Sequence, residues 1–386
     1  MQLREMGKTG VKVSPLGFGV MRLPMKGGGK ADNATTIDNV DIETSIAMIR
    51  EAIDGGVNYF DTAYNYVGGS SEVILGRALK DGYREKVNVA SKSPAWLYKE
   101  PEDFDRFLAT QLERLDTDYL DFYLLHSLNG GSWKRAQRIG AVESLKKAKA
   151  DGRVRHIGFS FHDDLDLFEE ILDAAEWDFC QIQLNYFDRD YQAGLKGMRM
   201  AAERAMGVVV MEPLRGGLLV DLPKEAQAAF DDSGIERSNV EWALDWLWDL
   251  PEVSCVLSGM STPEQLEQNM ASMEKAHPGM LSPEEKDVLD RAKKALDARV
   301  EVPCTGCNYC VDMCPNKIAI PYCFRAYNMG ALYDDEELAK WFYREEVSSY
   351  GRDASHCESC GACEEICPQH IEIGTWLPKI DERLGE

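Results

Sequence analysis

Eight short runs rich in β-branched and aromatic residues recur along the first two-thirds of this chain, each followed by a stretch with helical spacing. They are "GFGVMRL" (17–23), "VNYFDTA" (57–63), "VNVASK" (87–92), "YLDFYLLH" (119–126), "HIGFSF" (156–161), "FCQIQLNY" (179–186), "GVVVMEPL" (207–214) and "VSCVLSGM" (253–260). Several are nearly continuous apolar runs, the pattern of parallel strands covered on both faces. Between them, "DIETSIAMIREAIDGG" places Ile46, Ile49 and Ile53 on one face and ends in glycine, and "DDLDLFEEILDAAE" does the same with Leu165, Phe168, Ile171 and Leu172. The three tryptophans of "SNVEWALDWLWDL" fall at helical spacing and read as packing. Eight strand–helix units predict an α/β chain built on a (β/α)8 TIM barrel. A doubly wound open sheet is the alternative, but no GxGxxG follows the first strand.

The end of the chain has a different constraint. Of eleven cysteines, nine lie after residue 300, and eight of those form C-x2-C-x2-C-x3-C-P twice: Cys304, Cys307, Cys310, Cys314 before Pro315, and Cys357, Cys360, Cys363, Cys367 before Pro368. This is the bacterial ferredoxin spacing for two [4Fe–4S] clusters, in which the fourth cysteine serves the other cluster. Cys304, Cys307, Cys310 and Cys367 are expected on one cluster, and Cys357, Cys360, Cys363 and Cys314 on the second. Zinc would use separate C-x2-C pairs instead. The long insert 315–356 contains a helical pattern, "YDDEELAKWFYREEV", so the tail reads as a small, mostly helical ferredoxin-like iron–sulfur domain. Cys323 fits neither motif and reads as a spare buried thiol, as do Cys180 and Cys255 in the barrel. The segment "SPEEKDVLDRAKKALDARV" predicts a connecting helix with Ser282 as N-cap and Glu285 completing a capping box. The expected division is a barrel over 1–280 and a connecting helix with cluster domain over 281–386.

Composition narrows the partners. A net charge of −23 repels phosphate backbones and argues against nucleic acid. The tail carries sixteen acidic against seven basic residues, which makes a basic redox protein a candidate partner. No apolar run reaches the ~20 residues that span a bilayer, and "MQLREMGKTGVKVSPLGFG" lacks a signal-peptide core. The expected location is cytoplasmic, where clustered cysteines bind metal rather than pair. The oligomeric state is not legible.

Four polar residues fall where strands two to four end: Asp61, Tyr66, Lys92 and His126. Barrel active sites are assembled at this face from several strand ends. A free tyrosine, with a pKa near ~10, gives up its proton slowly at neutral pH. A buried ammonium at Lys92 is expected to lower that pKa, with Asp61 holding the ammonium charged. His126 can donate a hydrogen bond to a carbonyl oxygen. The set suits proton transfer to a C=O while hydride arrives at carbon.

The segments "FDTAYNY…SSEVILGRAL", "VASKSP", "TQLERLDTDYLDFYLLH", "RVRHIGFSF" and "VLSGMSTPEQLEQN" resemble the aldo-keto reductases over roughly residues 1–270, here in a form fused to a ferredoxin-type tail. The resemblance implies Tyr66 as general acid/base, with Lys92, Asp61 and His126 beside it, and an N-terminal hairpin around "VKVSP" plugging the barrel bottom. It implies NADP(H) held across the rim. Gly19, Val20 and Met21 follow strand one, and Asp61 and Met211 lie near the nicotinamide. Ser160 and Gln181 bond its amide, Pro213 and Leu214 begin a loop over the pyrophosphate, and Ser261, Gln265, Gln268 and Asn269 meet the adenosine.

Departures from the family pattern are an extra glycine in "YVGGSSE", Phe161 where an asparagine is common, Met211 where an aromatic is common, and no Lys or Arg in "SGMSTPEQLEQN". The last leaves NAD(H) open, although Ser261 and Gln265 can bond a 2′-phosphate as neutral groups and Arg215 is a candidate to reach it. The implied function is NAD(P)H-dependent reduction of a small carbonyl compound, or oxidation of an alcohol, coupled to or stabilised by two clusters. The alternative is an electron-transfer or assembly protein with the barrel as scaffold. Trp96, Tyr98, Trp133 and Tyr64 are the aromatic candidates for contacting substrate.

Overall fold

The computed structural model describes residues 2–385 apart from 30, 32–34, 305, 307, 308 and 368. Cys307 and Pro368 of the cysteine motifs, and part of the 25–38 loop, therefore lie outside the described residues. By compactness the chain divides into two units: 1–216 with 240–282, and 217–239 with 283–386.

The first unit holds the barrel. After a short antiparallel hairpin of β1 (Arg4–Glu5) and β2 (Lys12–Val13) come β3 (Leu16–Gly19), β4 (Tyr59–Asp61), β5 (Asn88–Ser93), β6 (Leu120–Leu128), β7 (Val154–Phe161), β8 (Phe179–Gln183), β9 (Gly207–Met211) and β10 (Cys255–Ser258). Among the described residues these eight are parallel and close on themselves, with β10 pairing β3. Each expected run overlaps one of them. Closure explains their near-continuous burial, because one side chain in two faces the barrel interior and the other faces the helices.

The interior floor is apolar. Phe122 contacts Tyr59 and Phe179 with ring centroids 5.4 and 5.1 Å apart. Met6, from the hairpin, joins them with Val209 and Cys255. A β-carbon at Gly207 would fall 2.4 Å from the Met6 sulfur, so glycine is required there for the plug to seat. Arg4 fixes the hairpin by donating to the carbonyls of Val253 (2.7 Å), Leu250 (3.1 Å) and Trp248.

The helices follow the sequence pattern. Ile42–Asp54 is capped by Asp41, which accepts from Thr44 N–H at 3.1 Å, and Leu165–Asp173 buries Phe168, Ile171 and Leu172. In Asn239–Asp249 the three tryptophans are core, and Trp248 Nε1 donates to the Pro15 carbonyl at 3.0 Å.

Among its described residues the second unit has no strand, and its α-helices are Lys224–Asp231, Pro283–Asp297, Tyr309–Met313, Ile320–Tyr333, Glu336–Glu346, Ala362–Glu365 and Ile373–Leu384. The segment 217–239 joins it through Arg299, which pairs with Glu225 at 3.0 Å. Glu285 accepts from Arg237 at 2.7 Å. The core is built from Ile320, Phe324, Tyr343, Ile373, Leu377 and Ile380. Arg383 grips the Glu336 carboxylate in a fork at 2.7 and 3.0 Å, locking the last helix to its neighbour.

Candidate active site and candidate cluster site

Parallel pairing puts one polar residue from each of several strands at the same end of the barrel. Asp61 ends β4 opposite Gly19 of β3, Lys92 lies near the end of β5, His126 near the end of β6, and Ser160 sits opposite Gln181 across β7 and β8. Lys92 is fully buried. Its Nζ donates to Asp61 Oδ1 at 2.5 Å, to the Thr62 carbonyl at 2.8 Å and to the Tyr66 hydroxyl at 3.3 Å. The Tyr66 oxygen accepts that bond, so its own O–H remains available to donate. Tyr66 opens the turn Tyr66–Gly69, and its ring lies edge-on to His126 with centroids 5.7 Å apart.

Burial sets the protonation states. It would lower the Lys92 pKa, but Asp61 and Tyr66 outweigh it and hold the ammonium above its usual range. Burial raises Tyr66 above 10, and the opposing effects of Lys92 and Arg22 do not cancel that rise. The expectation of a lowered tyrosine pKa is therefore corrected: Lys92 acts in the expected direction, but desolvation is larger. Burial, then the charges of Lys92 and His162, push His126 well below 6.5, so its imidazole is neutral. At neutral pH the site holds a charged lysine, a protonated phenol and a neutral imidazole.

A buried network behind Lys92 was not read from the sequence. Glu72 Oε1 accepts from Ser91 Oγ and Gln111 Nε2, both at 2.6 Å, and Oε2 accepts from Arg114 at 3.2 Å. Gln111 also donates to the Lys92 carbonyl at 3.1 Å and accepts from Tyr123 at 2.7 Å. The only sequence signal was the acidic residue of "SSE", which looks like any first-turn glutamate.

The extra glycine of "YVGGSSE" has a physical reason. Gly68 has φ +58°, and a β-carbon there would lie 2.9 Å from the Thr35 carbonyl, so Thr35 comes down onto this turn. Phe161 packs on Phe168 at 5.0 Å, in the layer between barrel and helix. Of the aromatic candidates, only Trp96 meets the site, edge-on to His126 at 5.0 Å. The others belong to packing: Tyr98 is buried and bonded to Ser93 (2.6 Å), Trp133 is buried and bonded to Glu170 (2.7 Å), and Tyr64 packs on Phe107.

Around the rim, Gln181 is buried with its Oε1 unbonded, and Asp61 Oδ2 and His126 Nδ1 are likewise buried and unbonded. Ser160 Oγ accepts from Ser127 N–H at 2.7 Å, which leaves its proton free to donate. The Val20 N–H donates to the Asp61 carbonyl at 2.8 Å. Gly19 and Met211 end β3 and β9, and Met21, Leu214 and Ser261 are half-buried while Pro213 is buried. Gln265 and Gln268 are exposed. Asn269 is turned inward, its Nδ2 donating to Ser258 Oγ at 3.1 Å. Arg215 is buried and pairs with Asp188 at 2.9 Å, so it is not the rim cation considered for a 2′-phosphate.

In the second unit, Cys314 comes to the same cavity as Cys357, Cys360 and Cys363, which is the crossed set. Ser359 N–H donates to Cys357 Sγ at 3.4 Å, and left-handed turns at Ser359 (φ +52°) and Gly361 (φ +78°) wind the loop around that cavity. Among the described residues no three His, Cys, Asp or Glu side chains converge as a metal-holding group. The four cysteines instead border a shared space, as a cluster with its own inorganic sulfur needs. Of the first set, Cys310 is buried in the unit's core, and Cys304 and Cys367 border it. Cys323 is buried in the same core.

Residues 15–285 match the aldo/keto reductase family model, and residues 303–372 match that of the 4Fe-4S dicluster domain. The chain belongs to the aldo/keto reductase family. This aldo/keto reductase is an oxidoreductase with a C-terminal 4Fe-4S dicluster domain. It is 29% identical over 293 residues to L-galactose dehydrogenase of Arabidopsis thaliana, covering 71% of this chain and 88% of the relative. It is 29% identical over 323 residues to the NADH-specific methylglyoxal reductase of Escherichia coli, covering 71% and 94%. The barrel superposes on an aldo-keto reductase from Bacillus halodurans in its holo form with a TM-score of 0.63 and 25% identity, covering 76% and 97%. No helix among the described residues is long and apolar enough to cross a membrane.

Proposed function

We propose that this protein reduces a small carbonyl compound, or oxidises the matching alcohol, with a nicotinamide nucleotide and with Tyr66 as the proton donor and acceptor. The observation that carries this reading is the buried Lys92, bonded at once to Asp61 and to the Tyr66 hydroxyl. When bound, the reduced nicotinamide supplies the hydride that arrives at the carbonyl carbon. Tyr66 gives its proton to the carbonyl oxygen, the O–H bond breaking as the new one forms. The phenolate charge is met by Lys92, which Asp61 keeps in place and charged. Neutral His126 donates to the same oxygen and orients it. In alcohol oxidation the proton returns to Tyr66.

The nucleotide fits the polar atoms left unbonded at the rim. Its carboxamide can donate to Gln181 Oε1 and accept from Ser160 Oγ, while Gly19, Val20, Met21 and Met211 flank the ring. Pro213 and Leu214 cover the pyrophosphate, and Ser261, Gln265, Gln268 and Asn269 form the adenosine end. The relatives named for methylglyoxal reduction and L-galactose oxidation support a small polar substrate.

The catalytic part is assigned to 1–280 and the cluster part to 281–386. Cys304, Cys307, Cys310 with Cys367, and Cys357, Cys360, Cys363 with Cys314, hold one [4Fe–4S] cluster each. Cys310, Cys314 and Cys363 are buried in the core of the helical unit, so the clusters staple that unit in the first instance. The test is Tyr66→Phe in the cluster-loaded protein: turnover lost with nucleotide binding retained supports the reading, and undiminished turnover overturns it.

A further inference from the structure

The turn Tyr66–Gly69, which carries the phenol, is held in a conformation that its sequence disfavours. Val67 has φ +54° and ψ +48°, and its side chain is fully buried. A β-branched residue is strained in that left-handed region. It stays there only where the surrounding structure over-determines it. The far end of the turn is fixed by Ser71, whose hydroxyl donates to the Val20 carbonyl at 2.8 Å and meets the Thr62 hydroxyl at 2.7 Å.

The near end is held by Arg114, from the last turn of the helix Asp103–Leu115. Its Nη1 donates to the Tyr64 carbonyl at 2.9 Å and to Glu72 Oε2 at 3.2 Å. The guanidinium lies over the Tyr64 ring, 4.6 Å from the centroid. A β-carbon at Gly69 would fall 3.2 Å from Nη2, so the same guanidinium lies against the close of the turn as well. Glu72 is fully buried, and it also serves the other catalytic residue. Its Oε1 accepts from Gln111 Nε2 at 2.6 Å, and that nitrogen donates to the Lys92 carbonyl at 3.1 Å. Gln111 and Arg114 are three residues apart on one helix and therefore share a face.

We propose that Arg114 is a positioning residue for the reaction: it holds the strained turn that carries Tyr66, while Gln111, bonded to the same Glu72 carboxylate, holds the β5 backbone at Lys92. One buried carboxylate thereby fixes the 3.3 Å separation of Lys92 and Tyr66 from both sides. This inference rests on the reading of Tyr66 as proton donor. Arginine suits the task because its planar fork bonds a carboxylate and a carbonyl while its face stacks on an aromatic ring. A lysine ammonium keeps the charge beside Glu72 but is a point donor and cannot stack in the same way. Its substitution therefore loosens the turn without leaving Glu72 unpaired.

The test is Arg114→Lys in the full-length, cluster-loaded protein, read by hydrogen exchange and by kinetics. Amides of residues 63–70 are expected to exchange at least about tenfold faster while those of the barrel strands are unchanged. The rate of glyceraldehyde reduction should fall by about 10–10²-fold, the size that follows from misplacing a reacting group. The nucleotide dissociation constant should stay within about threefold. In a Tyr66→Phe background the same substitution should lower the residual rate by less than about twofold, because the group it positions is gone. Glu72→Gln, an isosteric change that weakens the hold on Arg114, should give the same pattern at smaller size and serves if Arg114→Lys does not fold. Unchanged exchange over 63–70, or an equal fold-loss with and without the Tyr66 hydroxyl, overturns the inference and leaves the proton-donor reading standing. Undiminished turnover in Tyr66→Phe alone overturns that reading instead.

Discussion

The ammonium of Lys92 lies 3.3 Å from the hydroxyl oxygen of Tyr66, and as donor in that bond it leaves the tyrosine proton free to point into the site. The two residues arrive from different strand ends, and neither reaches the other without barrel closure. Removing the hydroxyl while keeping the ring separates chemistry from packing. In Tyr66→Phe, kcat for carbonyl reduction is expected to fall by about 10²–10⁴-fold, the range for loss of a general acid. The nucleotide dissociation constant should stay within about threefold, well under the 1.4 kcal/mol of a tenfold change. Stopped-flow hydride transfer and fluorescence titration measure the two. Lys92→Met should also cost turnover, and in addition stability, because it leaves Asp61 charged and buried without its partner.

The pH dependence follows from two shifts of opposite sign. His126 titrates well below 6.5 and Tyr66 above 10. On the proposed mechanism, reduction needs Tyr66 protonated and His126 neutral, so its rate should be flat between those two values. Alcohol oxidation needs the phenolate and should rise steadily towards alkaline pH. A reduction rate that falls between pH 7 and pH 9 would show that bound nucleotide or substrate restores the lowered tyrosine pKa. Initial rates in both directions across that interval decide it.

His126 also makes a stability prediction. Its folded pKa lies below its unfolded value of 6.5. As pH falls through 6.5 the unfolded chain takes up a proton that the folded chain refuses, so stability is lost from there downwards. The loss approaches about 1.4 kcal/mol per pH unit. Urea midpoints at pH 7 and pH 5.5 should therefore differ more in the native protein than in His126→Gln.

The barrel was legible because burial on both faces turns each strand into an apolar run, and the strand-end Asp61, Lys92 and His126 stood out against those runs. The cavity that Cys314 shares with Cys357, Cys360 and Cys363 agrees with the crossed spacing, because ligand spacing can be read without any knowledge of the fold. Other features were hidden in ordinary-looking residues. Glu72 reads as a helix-start glutamate until Gln111 and Arg114, some forty residues away, close on it. The Arg215–Asp188 pair joins the loops after β8 and β9, and nothing local marks either residue. Tyr98 and Trp133 sit in loop-like sequence, yet each finds a buried hydrogen-bond partner and packs inward. The tyrosine pKa went the other way because depth of burial is a tertiary quantity.

Glu72 is expected to couple stability to activity. Glu72→Ala removes the acceptor from Ser91, Gln111 and Arg114 at once. The cost should be about 2–4 kcal/mol, since Arg114 keeps some access to water while the other two donors do not. Gln111 also donates to the Lys92 carbonyl, so kcat should fall in the same variant without a matching change in nucleotide affinity. Denaturant titration and steady-state kinetics measure these separately. Full activity with lowered stability would confine the network to a structural role.

The cysteine cavity makes the last prediction. Cys314 belongs by sequence to the first motif and by position to the second, since it borders one cavity with Cys357, Cys360 and Cys363. Cys314→Ser should therefore disturb the second cluster and spare the ligands of the first, leaving about half of the iron and acid-labile sulfide of the native protein. Because residues 309–313 and 362–365 form the helices beside this cavity, the melting temperature of the C-terminal unit should fall in the same variant. Cys323→Ser is the control: its thiol is buried in the same core but belongs to neither motif, so iron content should be unchanged. Iron and sulfide assays with low-temperature EPR of the reduced protein distinguish the two variants. Loss of iron in Cys323→Ser equal to that in Cys314→Ser would mean that a residue outside both motifs is a ligand, and the crossed assignment would have to be redrawn.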